Sequence, residues 1–384
     1  MKRRDSNMEL LRICAMLMIA FVHVLGLTGL LDAVQPSSKK YWLLWWLEGL
    51  GCVSTNLFVL LGGYYLCSSR VTPKKVLRLV SQVWFYSVIC YIAAMLLNQT
   101  SLCWDTLRPV LFPVVNSQYW FITAYLGLML LTPLLNRAIN AMDRKAHFSV
   151  MITLVFLFSV IPSVCRRVNF LNVGEGYCLD WFLCLYVIGA YLRRYPVSRG
   201  GRKSALLTWL LGAMVYPLSR GVVLLLVHHQ AAELSDIDWL CMRNSIFALT
   251  ASLGLFHFFL RLRVPEGGRA EQWIGRVSPL VFGVYLFHVN PSLYHLLWQR
   301  LIHPASLTDS LLLWPYLVAV TLLVFGSGLA VEAIRQRLFR GAGKGRLSAA
   351  MDRLELLPHL YRFLVDVEDT KRADAPEGDS EIKN

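Results

Sequence analysis

Apolar residues in this chain come in blocks separated by short polar stretches. Ten blocks stand out, at residues 10–31, 41–66, 76–97, 119–135, 148–164, 179–195, 204–227, 243–260, 279–301 and 312–334. Several reach the roughly 20 residues that a helix rising ~1.5 Å per residue needs to cross ~30 Å of hydrocarbon. The pattern predicts an all-α polytopic membrane protein with about ten transmembrane helices, the fourth to sixth being short. The first block follows Lys2, Arg3 and Arg4 as the core of a signal peptide would. It is too long for that, carries Arg12 and His23, and lacks a small-residue cleavage site, so it reads as a retained helix. Residues 98–118 are long and apolar for a loop and are expected to dip into the membrane or cover a cavity. Beyond residue 334 the chain turns basic, then apolar-periodic over 347–367, then polar over 368–384. The expected division is a transmembrane domain at 1–334 and a cytoplasmic tail at 335–384, with an amphipathic stretch on the membrane surface and a disordered end.

Composition agrees with the pattern: 56% of the 384 residues are hydrophobic and 16% charged, where a soluble domain carries about a quarter charged. The net charge of +14 raises nucleic acid as a partner, and the placement of the charges argues against it. Arg70, Lys74, Lys75 and Arg78 follow the second block, Arg137, Arg144 and Lys145 the fourth, and Arg193, Arg194, Arg199, Arg202 and Lys203 the sixth. Arg261, Arg263, Arg269 and Arg276 follow the eighth, while the alternate loops hold far fewer. That is a positive-inside asymmetry repeated crossing by crossing. It places both termini in the cytoplasm and makes anionic lipid headgroups the natural counterions. The nine cysteines show no paired metal-ligand spacing, so neither a metal nor a bound cofactor is expected. Cys165 and Cys178 share a loop and either pair or serve as small apolar filler.

An ionisable group inside a span is costly and marks a functional site by default. Arg12 and His23 are eleven helical steps apart, which sets them within about 20° of one azimuth and ~16 Å apart along the axis. Glu9 lies three residues before Arg12, on a neighbouring part of that face. Taken singly, Arg12 snorkels to headgroups and His23 bonds a neighbouring helix. Aligned on one face, they suggest a site. His288, about nine residues into a span of the same direction, is expected at a depth like that of His23, with Asn290 just beyond it. Function and structure remain equally open for the pair. His228, His229 and His257 read as structural, and Glu48, Asn56, Asp180, Arg220, Arg243 and Asn244 as polar groups that neutralise one another in unknown pairs.

The run Asn7-Met8-Glu9-Leu10-Leu11-Arg12, with His23 ten residues further on, resembles the N-terminal signature of the membrane-bound acyltransferase 3 family. Residues 56–64 (NLFVLLGGY), 119–125 (YWFITAY) with 133–136 (PLLN), and 282–288 (FGVYLFH) resemble further blocks of that family, in order. The likeness runs over about residues 5–334. One departure is Gly62-Gly63, where the family commonly has Ser-Gly, which puts any role for that hydroxyl in doubt here. No SGNH-type esterase domain follows the helices, so no two-domain relay is expected within this chain.

The resemblance implies transfer of an acyl group, usually acetyl, from acyl-coenzyme A to a hydroxyl of a sugar or other cell-envelope acceptor at the cytoplasmic membrane. It assigns His23 as the catalytic histidine and Arg12 as the arginine associated with the donor. Arg12 offers a planar fork suited to phosphate, Glu9 a carboxylate to hold it, and neutral His23 a base for the acceptor hydroxyl. His288, Tyr119 and Trp120 are further candidates for shaping the cavity or binding the acceptor. The expected partners are acyl-coenzyme A as co-substrate, a carbohydrate or lipid-linked glycan, and membrane lipids. A transporter or flippase explains polar residues inside spans equally well, but not the family blocks.

Overall fold

The computed structural model describes residues 5–165, 174–196, 200–229 and 239–342. The stretches expected at 347–367 and 368–384 lie outside the described residues. Among the described residues every regular element is helical. The principal helices are α1 (Ser6–Gly26), α2 (Lys39–Leu66, interrupted at Val53), α3 (Pro73–Leu96), α4 (Trp104–Leu111), α5 (Trp120–Ala141) and α6 (Arg144–Val164). They continue as α7 (Leu179–Arg194), α8 (Arg202–His228), α9 (Ile246–Leu260), α10 (Arg269–His288), α11 (Pro291–Leu307) and α12 (Leu313–Ala342).

Among the described residues seven helices, α1, α2, α3, α5, α6, α8 and α12, are long and apolar enough to span a bilayer, and the bent pair α10–α11 makes up to eight. The blocks at 179–195 and 243–260 do form helices, but α7 and α9 have 16 and 15 residues, short of the roughly 20 that a straight crossing takes. The block at 279–301 is not one helix: α10 stops at His288 and α11 departs at 72°. Asn290-Pro291 is the cause. The Asn290 side chain accepts from the Ser292 backbone N–H at 2.9 Å and Pro291 opens the new helix, the usual chemistry of a helix start. Large apolar side chains such as Leu211, Leu218, Val222, Leu225, Leu322 and Leu323 remain exposed on the flanks of α8 and α12. That is where lipid contact is expected in a multi-pass protein.

Helix α1 is the centre of the bundle. Its residues enter all three apolar cores: Met8, Leu11 and Ala15 the first, Ile13, Met16 and Ile19 the second, Ala20, Val24 and Leu25 the third. A helix apolar on every side is buried on every side, and α1 packs on α2, α9, α10 and α12. The segment 98–118 folds back on α3 through α4: the Ser87 hydroxyl lies 3.0 Å from the Val110 carbonyl and 2.6 Å from Gln118 Oε1. Cys165 and Cys178 are not joined by a disulfide. Charges inside the bundle are held in local groups. Glu332, fully buried, takes a two-pronged contact from Arg335 at 2.6 and 2.8 Å and a hydrogen bond from the Tyr86 hydroxyl at 2.9 Å. Arg220 donates to the Tyr41 hydroxyl at 3.0 Å and lies over the Trp45 ring.

Close packing of α2 on α7 depends on two glycines. A Cβ at Gly63 would meet the Tyr186 backbone, with its Cα at 2.8 Å, and a Cβ at Gly189 would meet the Leu60 carbonyl and come 2.9 Å from the Tyr64 nitrogen. Small residues let helix backbones approach in this way where hydrophobic burial gives no net drive. Gly63→Ala and Gly189→Ala are each expected to destabilise by about 1–3 kcal/mol, the usual range for overpacking. Gly275→Ala, whose Cβ meets nothing within 4 Å, should leave stability unchanged or raised. Thermal unfolding of the purified protein in detergent checks all three.

Candidate active site

The break between α10 and α11 builds the centre of the site. A helix that stops leaves its last carbonyls without intrahelical donors, and inside an apolar bundle each must find one. The Tyr119 hydroxyl donates to the Leu286 carbonyl at 3.1 Å, and the Trp298 indole N–H to the His288 carbonyl at 3.0 Å. Asn290 donates from Nδ2 to the Tyr119 hydroxyl at 2.6 Å, so one residue starts α11 and holds the tyrosine that closes α10.

His288 is buried on this terminal turn. Its Nδ1 lies 2.6 Å from the Val284 carbonyl, and its Nε2 lies 2.9 Å from Nδ1 of His23 on α1. A carbonyl only accepts, so Nδ1 of His288 carries the hydrogen. In the neutral pair its Nε2 is then the acceptor, and His23 must donate from Nδ1. The lone pair of His23 is thereby left on Nε2. Trp298 packs edge-on against both imidazoles, with ring centroids 6.4 Å from His23 and 6.2 Å from His288. Two histidines expected only to share a depth are in direct contact.

His23 is half-buried and lines a cavity of about 380 Å³. Apolar walls come from Met16, Ile19, Val22, Phe58 and Phe282, and polar groups from Glu48, Thr55, Gln118, Tyr177 and Arg243. Tyr119 and Trp120 also line it, though the Tyr119 hydroxyl is occupied at the helix break. Arg243 is positioned from several sides. Asn56 donates to its carbonyl at 2.9 Å, while the Asn56 side-chain oxygen accepts from the Trp181 indole at 3.0 Å. Asn244 donates to the Phe158 carbonyl at 3.0 Å. The Arg243 guanidinium donates to the Tyr177 hydroxyl and sits 4.2 Å over that ring. The Tyr177 ring in turn lies 4.6 Å from Trp120.

Arg12 and Glu9 lie toward the other end of α1, outside the cavity lining. Arg12 Nη1 pairs with Glu9 Oε2 at 2.6 Å, and the Ser278 hydroxyl donates to the same oxygen. The Arg12 side chain is 29% exposed, against 8% for Glu9. Because α1 runs unbroken from Ser6 to Gly26, the expected ~16 Å separation and shared azimuth of Arg12 and His23 follow from helix geometry.

The structure therefore joins His23 to His288, Tyr119 and Trp120, and Arg12 to Glu9, in two places on one helix. His228, His229 and His257 do not line the cavity. Trp298 and Gln118 carried no signal in the sequence. Glu48, Asn56 and Arg243 stood out as intramembrane polar groups, but only the fold brings Glu48 and Arg243 to one wall, with Asn56 bonded to the Arg243 carbonyl.

The site belongs to a multi-pass helical membrane protein with a paired-imidazole centre inside its bundle. The family model described as acyltransferase domain, that of the acyltransferase 3 family, matches residues 5–332. The chain belongs to that family, and the protein is a membrane acyltransferase. Neither a protein of curated function nor a solved structure matches the chain.

Through the tautomer it sets on His23, His288 is expected to act as a positioning residue. His288→Phe removes the acceptor for the His23 Nδ1–H and is expected to lower kcat by about 10²-fold or more, within the range for impaired general-base catalysis. His288→Gln, which offers a carbonyl oxygen, should recover part of the loss. Steady-state kinetics check this. A fall confined to kcat with partial rescue by Gln supports the positioning role, and equal losses in both variants overturn it.

Proposed function

We propose that the protein is an O-acyltransferase of the cytoplasmic membrane. It moves an acyl group, acetyl in the default case, from acyl-coenzyme A to a hydroxyl of an envelope carbohydrate or lipid-linked glycan. The observation that carries this reading is the His23–His288 pair, which leaves an imidazole lone pair at a cavity in a chain of acyltransferase family. The repeated basic loops support a topology with both termini inside and ten crossings, α7, α9 and the bent pair included. The end of α1 bearing Arg12 then faces the cytoplasm, where coenzyme A is made.

In this mechanism the Arg12 fork binds phosphate of the donor, held in aim by Glu9. The pantetheine arm follows α1 for ~16 Å and brings the thioester to His23. His23 Nε2 takes the proton of the acceptor hydroxyl as its oxygen bonds to the thioester carbonyl carbon. The tetrahedral intermediate then expels the coenzyme A thiolate, which recovers the proton from His23, leaving an ester and a free thiol. Transient positive charge on His23 is shared along Nδ1–H to His288 and on to the Val284 carbonyl. A neutral imidazole and a peptide dipole occupy the place that a carboxylate fills in a Ser-His-Asp triad.

The test is transfer of label from radiolabelled acetyl-coenzyme A to an envelope-glycan extract by the purified protein in nanodiscs. Wild type is expected to form an alkali-labile ester. His23→Ala should lose it by about 10²–10⁴-fold, and Arg12→Ala should raise the donor KM. If wild type neither transfers label nor binds acyl-coenzyme A, and Arg12→Ala changes nothing, the transporter reading replaces this one.

A further inference from the structure

The wall of the cavity shared with His23 carries one full positive and one full negative side chain, Arg243 and Glu48, besides the catalytic pair. Neither has a part in the proton transfer described above. Both come with supporting structure. Glu48 Oε1 accepts from the Cys52 thiol at 3.2 Å, and Arg243 is pinned through Asn56, Asn244 and Tyr177. Arg243 Nε has no hydrogen-bond partner among the described residues. A buried N–H in that condition calls for an explanation such as a missing water or ligand. Beside the two charges, Tyr177 and Trp120 present aromatic rings 4.6 Å apart.

We propose that Glu48, Arg243, Tyr177 and Trp120 form the acceptor subsite, and that its ligand is a single neutral sugar ring with adjacent hydroxyls. The inference rests on the acyltransferase reading and deepens it. A carboxylate accepts hydrogen bonds from sugar hydroxyls, and a guanidinium donates to their oxygens through a planar fork. The aromatic rings take the apolar face of a pyranose. The two formal charges on the wall cancel, so a uronide gains no net attraction there, while a neutral polyol uses both side chains. The volume of about 380 Å³ lies at the small end of the range for organic ligands, which suits one ring better than an oligosaccharide. A hydroxyl of a ring held at this wall is presented to Nε2 of His23 across the same cavity.

The experiment measures acetyl transfer from acetyl-coenzyme A to two panels of probes, neutral methyl hexosides and methyl hexuronides, by wild type, Glu48→Gln, Arg243→Gln and Arg243→Lys in nanodiscs. The readout is the ratio of kcat/KM for the neutral panel over the uronide panel. Wild type is expected to favour the neutral panel. Glu48→Gln leaves a cationic wall and should lower the ratio by about tenfold, which is ~1.4 kcal/mol. Arg243→Gln leaves an anionic wall and should raise it by about tenfold, and Arg243→Lys, keeping the charge, should stay near wild type. A merely structural role moves total activity, not the ratio in opposite directions. Ratios unchanged in both Gln variants overturn the subsite. Wild type that labels an envelope extract but neither panel overturns the sugar-ring assignment and leaves the acyltransferase reading standing. Wild type that labels nothing and binds no acetyl-coenzyme A overturns that reading, and this inference with it.

Discussion

Hydrocarbon offers no hydrogen bonds, so a helix that ends inside a bundle must have its loose carbonyls met by side chains. The stop of α10 at His288 imposes that requirement, and the residues that answer it assemble the site. Tyr119 and Trp298 take two of the carbonyls, and Asn290 braces Tyr119 while starting α11. His288 uses its own Nδ1–H on the Val284 carbonyl. The last of these leaves His288 Nε2 as the acceptor, and so sets which nitrogen of His23 carries the hydrogen. The backbone defect and the orientation of the base are one arrangement.

The same bundle sets two polar groups apart along α1. Arg12, held by Glu9 and partly exposed, stands toward one end of α1, and His23 stands with the cavity toward the other. In the proposed reaction the leaving thiolate already makes the thioester carbonyl reactive, so the transfer takes no metal or redox step. In the proposed function the protein supplies reach through α1, a base in a set tautomer through the break after His288, and a wall for the acceptor through the Glu48–Arg243 face.

The positions of the helices were legible because lipid and tight helix packing leave a coarse apolar signal, and nearly every block became helical. Whether a block forms one straight crossing was less so. Hydropathy averages over Asn290-Pro291, whose cap chemistry bends the chain. In the site, Arg12, Glu9 and His23 were legible because they share one helix, where spacing dictates geometry. His288 was expected at the right depth, but its contact with His23 depends on how two distant helices pack, and no local pattern encodes that. Tyr119 was expected as a candidate for shaping the site or binding the acceptor. Its hydroxyl is spent on closing α10, a requirement created by a break the apolar pattern hides. Arg243 and Glu48 announced themselves by their cost in an apolar setting, while their meeting at one wall is again a matter of tertiary packing.

The unbroken course of α1 carries a consequence for how the chain can change over time. Between Arg12 and His23 the helix acts as a ruler with phase as well as length. Removing one residue shortens it by only ~1.5 Å but swings one end by ~100° relative to the other, taking the imidazole off the cavity or the guanidinium off its face. Adding seven nearly restores the phase, within ~20°, yet lengthens the span by ~10 Å. Side chains between the two ends are free to drift so long as they pack, whereas the number of residues is not.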